Sequence, residues 1–165
     1  MKKIFVLIIF TVFAISSLTA QVKNPKSGLE QAADDSKYQS GAMFFSLNRY
    51  DKALQEFSEY LEIFYNGNHR HEAYKKIAEI YILSFDYQKA ADKYKLLYEE
   101  FSSSEDGLEG YFRAGICYQK MGYDDKAKDI FTEIQTNYPE SSFARQSQAQ
   151  LDLMKILATD GIVSK

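Results

Sequence analysis

The chain is 165 residues long, enough for one ordinary domain of about 100–150 residues once a targeting segment is set aside. A formal net charge of −3 makes it a poor candidate for nucleic acid, which selects basic surfaces, and its single cysteine, Cys117, excludes an internal disulfide. Two prolines and eight glycines are too few for a disordered chain, while 13 tyrosines, all between Tyr38 and Tyr138, point to an aromatic core over that stretch.

The first twenty residues, MKKIFVLIIFTVFAISSLTA, place two lysines before an apolar run from Ile4 to Ile15 and small polar residues ending at Ala20. The run falls short of the about 20 apolar residues that cross a bilayer, and it suits the apolar region of a secretory signal. Residues 1–20 are therefore expected to be a signal peptide cleaved after Ala20, with an uncleaved membrane anchor as the alternative. Removing Lys2 and Lys3 leaves 18 basic residues against 23 acidic ones, a net charge of −5. Residues 21–33 read as a short linker.

A phrase then recurs: LNRYDKALQEF at 47–57, SFDYQKAADKY at 84–94 and MGYDDKAKDIF at 121–131. The alanines Ala53, Ala90 and Ala127 stand 37 residues apart both times, and a fixed period in this range marks a repeat array. Twelve residues before each alanine stand Gly41, Ala78 and Gly115; nine before it, Phe44, Tyr81 and Tyr118. Four after it stand Phe57, Tyr94 and Phe131; eleven after it, Phe64, Phe101 and Tyr138. The small column and the aromatic three residues later share one helical face, as do the alanine and the aromatic four later. Each unit is thus predicted to hold two helices. A small residue facing an aromatic fits two helices that cross closely, with the ring filling the space beside the backbone.

Between the halves, Asn48 and Gly122 tolerate the left-handed conformation that ends helices, whereas Phe85 and Asp86 signal the middle turn less clearly. Between units, YNGNH and FSSSEDG carry candidate N-caps in Asn68 and Ser104. After Pro139, ESSFARQSQAQLDLMKIL reads as one more helix, with Phe143, Ser147, Leu151 and Met154 on the face that covers the last unit. The expected repeats are about 34–67, 71–104 and 108–140, followed by a cap helix at 141–157 and a tail at 158–165.

These columns resemble the tetratricopeptide repeat (TPR), whose pattern is a small residue and an aromatic in the first helix, then Ala, an aromatic and a late Pro in the second. The resemblance covers roughly residues 34–157 and implies an all-α, TPR-like α-solenoid of three helix-turn-helix repeats plus a C-terminal capping helix. The period is longer than the common repeat of about 34 residues. With the closing phrase NYPESSFARQSQAQLDL, it is similar to repeats in envelope proteins of Gram-negative bacteria. Among these are the periplasmic coordinator of the Tol-Pal system and the lipoprotein of the outer-membrane barrel assembly machinery. The likeness implies a periplasmic location, no stable membrane insertion after signal cleavage, and another envelope protein or peptide as partner. No lipobox cysteine follows the apolar run and no trimerising coiled coil fits before the repeats, so the fold and compartment carry over rather than the particular job.

In this fold the concave face is lined by first-helix residues outside the packing columns. Carried onto this chain, those positions hold Tyr38, Ala42 and Phe45, then Lys75, Glu79 and Ile82, then Phe112, Ile116 and Gln119. An apolar groove rimmed by charge suits an extended or helical peptide. Phe45, Ile82 and Phe112 have a second reading, in which they pack against neighbouring helices. Tyr38 and Ala42 stand where family members that grip acidic chaperone C-termini carry Lys and Asn, so a clamp of that type is not expected.

Catalytic chemistry is not evident. His69 and His71 flank Arg70 at a helix start and with Glu72 suggest a metal site, but no third histidine is present to complete a structural zinc set, and the chain's one thiol has another place. Cys117 falls in a column with Met43 and Ile80, the place of a buried small hydrophobe. No Gly-rich phosphate loop, Ser-His-Asp set or paired-carboxylate motif is present, and no cofactor or metal is predicted. The expected function is a non-catalytic periplasmic scaffold; the alternative is an enzyme or enzyme subunit acting on envelope polymers through unidentified carboxylates. Protein recovered from the periplasm should have the intact mass of a chain beginning at Gln21, and retention of residues 1–20 would turn the reading into a membrane-anchored one.

Overall fold

The computed structural model describes residues 27–159, within a chain that forms two compact units, residues 1–32 and 33–165. The expected signal peptide at 1–20 and residues 160–165 of the expected tail lie outside the described residues. In the first unit, Ser27 N–H donates to Glu30 Oε2 at 3.0 Å, and Glu30 N–H donates to Ser27 Oγ at 3.2 Å. This reciprocal box satisfies two amide donors and opens helix α1, Gly28–Ser46. Residues 28–33, expected as linker, are therefore helical: the box supplies a start, and no Gly or Pro interrupts the chain from Leu29 to Ser40.

Six more helices follow: α2 (Tyr50–Ile63), α3 (Arg70–Leu83), α4 (Tyr87–Phe101), α5 (Glu105–Lys120), α6 (Asp124–Asn137) and α7 (Ser142–Thr159). The second unit contains three hairpins and the covering helix α7, with no strand among the described residues. The cap runs two residues past its expected end, into the expected tail. Each hairpin closes where its small column meets its aromatic column. A Cβ on Gly41 would stand 2.6 Å from the Phe57 ring, and one on Gly115 would stand 2.6 Å from the Phe131 ring. Ala53, Ala90 and Ala127 are fully buried, as are Phe57 and Phe131.

All three turns inside the hairpins share one backbone pattern. The N–H groups of Asn48, Phe85 and Gly122 donate to Phe45, Ile82 and Gln119 carbonyls at 2.9–3.0 Å. The next N–H groups, of Arg49, Asp86 and Tyr123, reach the Phe44, Tyr81 and Tyr118 carbonyls at 2.8–2.9 Å. This double closure satisfies the last carbonyls of the helix and places the turn residue in the left-handed region, at φ 56° for Asn48, 59° for Phe85 and 75° for Gly122. The middle turn, weakly signalled in the sequence, thus has the same geometry on an exposed phenylalanine.

Between hairpins, Ser104 Oγ accepts from Gly107 N–H at 3.0 Å and caps α5 as expected. Asn68 does not cap α3: His69 holds that position, and Asn68 N–H is drawn instead to Asp34 Oδ2 at 2.9 Å. The core has two clusters, one around Phe57, Tyr60 and Ile77 and one around Tyr94, Leu97, Phe131 and Ile134, with Leu61 and Tyr81 packed against both. Cys117 is buried with Ile80, and burial pushes its thiol up to about 11. Met43, in the same column, is exposed, because no earlier hairpin covers it among the described residues.

The turn geometry predicts opposite outcomes at two equivalent positions. Phe85→Gly should stabilise the fold by about 0.5–1 kcal/mol, the left-handed penalty less the entropy of a freer unfolded chain. Gly122→Ala should cost about 1–2 kcal/mol. Open space surrounds Gly122, so that cost is conformational alone. Urea melts of the two variants check both signs.

Candidate functional site

Helix α3 lies between the hairpins on either side, and two buried polar clusters hold its start. Arg70, in its first turn, is 7 % exposed. Its Nη1 donates to the Leu61 carbonyl at 2.6 Å and the Phe64 carbonyl at 3.1 Å, the end of α2 where the helix dipole favours a cation. Its Nε and Nη2 fork onto the Glu100 carboxylate of α4, with Nη2 to Oε2 at 2.7 Å, and Tyr74 OH donates to the same oxygen at 3.0 Å. The second cluster centres on the fully buried Asp34, which accepts from Tyr60 OH at 2.5 Å and from Asn68 N–H. Tyr60 OH in turn accepts His69 N–H at 2.9 Å. Burial first, and then the bond to Asp34, raises the Tyr60 phenol above its ordinary range.

With α3 so fixed, its exposed face joins α1 and α5 around a cavity of about 500 Å³. Tyr38, Ile82, Leu83 and Tyr94 give it apolar walls, and Glu72, Lys75, Lys76, Glu79, Glu109 and Arg113 give it charge. A second cavity of about 240 Å³ is lined by Ile82, Phe112, Ile116 and Phe143, so Ile82 borders both. Of the positions expected to face a partner, Tyr38, Lys75, Glu79 and Ile82 line the first cavity, and Ile82, Phe112 and Ile116 the second. Ala42, Phe45 and Gln119 line neither. Phe45 packs edge-on to Tyr50 under Lys76 Nζ, which sits 4.2 Å from the ring, and the Gln119 carbonyl closes the turn at Gly122. Ile82, Phe112 and Ile116 are half-buried and also pack against the core, so each serves a wall and the interior at once.

The charges are largely matched within the chain. Lys75 Nζ pairs with Asp106 and, at 2.8 Å, with Glu109; Arg113 Nε reaches Glu109 at 2.7 Å; Lys76 reaches Glu79 at 2.8 Å. Burial pulls the Lys75 ammonium down, but its bonds to Asp106 and Glu109 outweigh that and hold it above its ordinary value. Glu109 is the reciprocal case: burial pushes it up, and Lys75 and Arg113 bring it below the ordinary carboxylate range. His69 sits at the start of α3 with its ring engaged. It stacks on Tyr38 at 4.5 Å and bonds Asp35 at 2.8 Å through Nε2.

Sequence reasoning missed Glu72, Lys76, Glu109 and Arg113, although a signal for the acids was present. Asp35, Glu72 and Glu109 stand 37 residues apart, an acidic column in register with the aromatic ones.

A sequence model of the tetratricopeptide repeat matches residues 109–141, which span the third hairpin. The TPR domain of Sgt2 from Aspergillus fumigatus aligns with a TM-score of 0.58 at 17 % identity, over 79 % of this chain and 83 % of that one. The chain has the tetratricopeptide-repeat fold. No curated protein sequence matches it. The sequence match falls on the unit that carries the late proline, Pro139; Tyr65 and Ser102 occupy that place in the other two. Tetratricopeptide solenoids present extended surfaces for protein–protein interaction and are typically adaptors rather than catalysts.

The Arg70 clamp gives the repeat array a pH dependence. The Arg70 guanidinium, against opposing burial, holds Glu100 below its ordinary value of 4.5. A depressed carboxyl stabilises fully above its unfolded pKa, and the contribution is lost as pH falls through the lower folded value. Glu100→Gln should therefore cost on the order of 2 kcal/mol near pH 7, because Arg70 loses its charged acceptor. The gap to wild type should begin to narrow as pH falls below 4.5 and shrink further as the carboxyl protonates in the folded state, as read from urea melts at pH 7 and at a series of acid pH values.

Proposed function

We propose that the protein is a non-catalytic periplasmic scaffold that binds a segment of another cell-envelope protein along the first helices of its hairpins. The observation that carries this is the pair of adjoining cavities meeting at Ile82, half-buried apolar walls with charge at the rim, set on helices that the Arg70 and Asp34 clusters hold rigid. A prefixed surface of this kind binds a flexible segment without first having to order itself. The apolar run at residues 4–15 supports export, and the likeness of the closing repeat phrase to Tol-Pal and barrel-assembly proteins supports an envelope partner.

Site-directed photocrosslinking in intact cells tests the reading. A benzoylphenylalanine at position 79, on the cavity wall, should give discrete adducts with an exported protein, while the same group at position 62, on the exposed side of α2, should give none. Adducts from position 62 alone, or equal and diffuse adducts from both, would place the contact surface elsewhere.

A further inference from the structure

The joints between successive hairpins repeat the same positions with different chemistry. Thirty-seven residues relate Tyr38 to Lys75, His69 to Asp106, and Glu72 to Glu109. Between the second and third hairpins, Lys75 of α3 ion-pairs with Asp106 and Glu109 of α5. Between the first and second, Tyr38 of α1 stacks on His69, and Glu72 of α3 takes the place of Glu109 with no ammonium opposite it. The fourth residue onward also differs in use: Arg113 turns back to Glu109, whereas Lys76 turns forward to Glu79.

Glu72 is consequently the one carboxylate of the larger cavity that pairs with no lysine or arginine among the described residues. Its Oε1 meets His71 Nε2 at 3.0 Å, and its Oε2 is buried without a hydrogen-bond partner. Neither does it perform the usual task of a glutamate three residues past an N-cap. The amide it would accept from, His69 N–H, is already given to Tyr60 OH, whereas Glu30 does accept Ser27 N–H at the start of α1. An unpaired buried carboxylate oxygen is costly unless something arrives to satisfy it. The side chain as a whole is 39 % exposed, so the carboxylate can turn toward the cavity.

Resting on the peptide-binding reading above, we infer that this cavity receives an arginine or lysine side chain of the partner, its cation meeting Glu72 where Lys75 meets Glu109 and its aliphatic stem lying along Tyr38, with Ile82 further along α3 left to an apolar neighbour in the same segment. The walls match that side chain: long cationic residues bury an apolar stem while the head keeps a charged or hydrated acceptor. The cations of the cavity are already matched, so an acidic segment would find no unpaired charge there. Burial, and then the Glu72 charge, raise the Tyr38 phenol, which places that carboxylate's field over the same wall.

The test is selection of binders from a random dodecapeptide phage library by the chain, followed by affinity measurements on the enriched peptides. The expected result is enrichment of arginine or lysine beside apolar residues, with binding that weakens as salt rises. Glu72→Gln should weaken it about tenfold or more, the scale of one charge-assisted bond. Glu62→Gln, on the exposed side of α2, should leave it unchanged. Tyr38→Lys supplies the missing ammonium from within the chain and should abolish the preference for basic peptides while the protein still melts cooperatively. Enriched peptides that bind at Ile82 but lack basic residues, or that ignore Glu72→Gln and Tyr38→Lys alike, overturn the inference and leave the peptide-binding reading standing. A self-associated protein that Glu72→Gln dissociates would seat a second copy there and overturn it too. Failure to enrich any peptide overturns both readings.

Discussion

The fold depends on a steric limit at two points: at Gly41 and Gly115 the partner ring occupies the space that a Cβ would need. Helices brought that close bury Ala53 and Ala127 completely and leave the aromatic rings no exposed edge. Dense packing of this kind is unforgiving of added volume, which is why the small column keeps its spacing while the solvent-facing columns change freely. Once the crossing is set, the turn has little choice. The same double hydrogen-bond closure forms whether the left-handed position holds Asn48, Phe85 or Gly122, so packing overrides the preference of phenylalanine.

The columns that face the core were readable in the sequence because each is enforced by burial. Alanine, small residue and aromatic recur at 37-residue intervals, and the helix count, the hairpin pairing and the covering role of α7 follow from them. Local punctuation was less reliable. Asn68 has the composition of a cap, but Asp34, thirty-four residues away in sequence, claims its amide. The start of α1 at Gly28 was missed because the reciprocal bonds of Ser27 and Glu30 lie ahead of the repeat register that organised the reading.

The candidate site was legible as a set of positions and not as chemistry. Tyr38, Lys75, Glu79 and Ile82 were placed by their register, yet whether a lysine is free or engaged depends on which acids the next hairpin brings to it. Lys75 reads as a partner-facing cation in sequence and is in fact the internal tie to Asp106 and Glu109. Phe45 could be read in sequence as a groove residue or as a packing residue, and its ring lies beneath Lys76. Such assignments need the distance between columns of successive hairpins, and a one-dimensional period does not contain it.

The joint at Arg70 bears on how such an array can evolve. Repeat proteins with identical joints change length readily, since duplicating or deleting a unit leaves every new boundary like the old ones. Here the boundary before α3 needs a guanidinium that reaches the carbonyl end of α2 and an acid waiting on α4. At the corresponding place before α5 stands Gly107, where a Cβ would collide with the Phe101 carbonyl at 2.0 Å. A copy of the second hairpin inserted after itself would carry Arg70 into a joint shaped for a glycine. Excising that hairpin would bring Gly107 to the carbonyls that Arg70 now satisfies. Among the described hairpins the seams are therefore not interchangeable: gaining or losing a unit would leave a buried guanidinium without room or a set of helix-end carbonyls without a cation, whereas a change of exposed surface would leave every seam as it is.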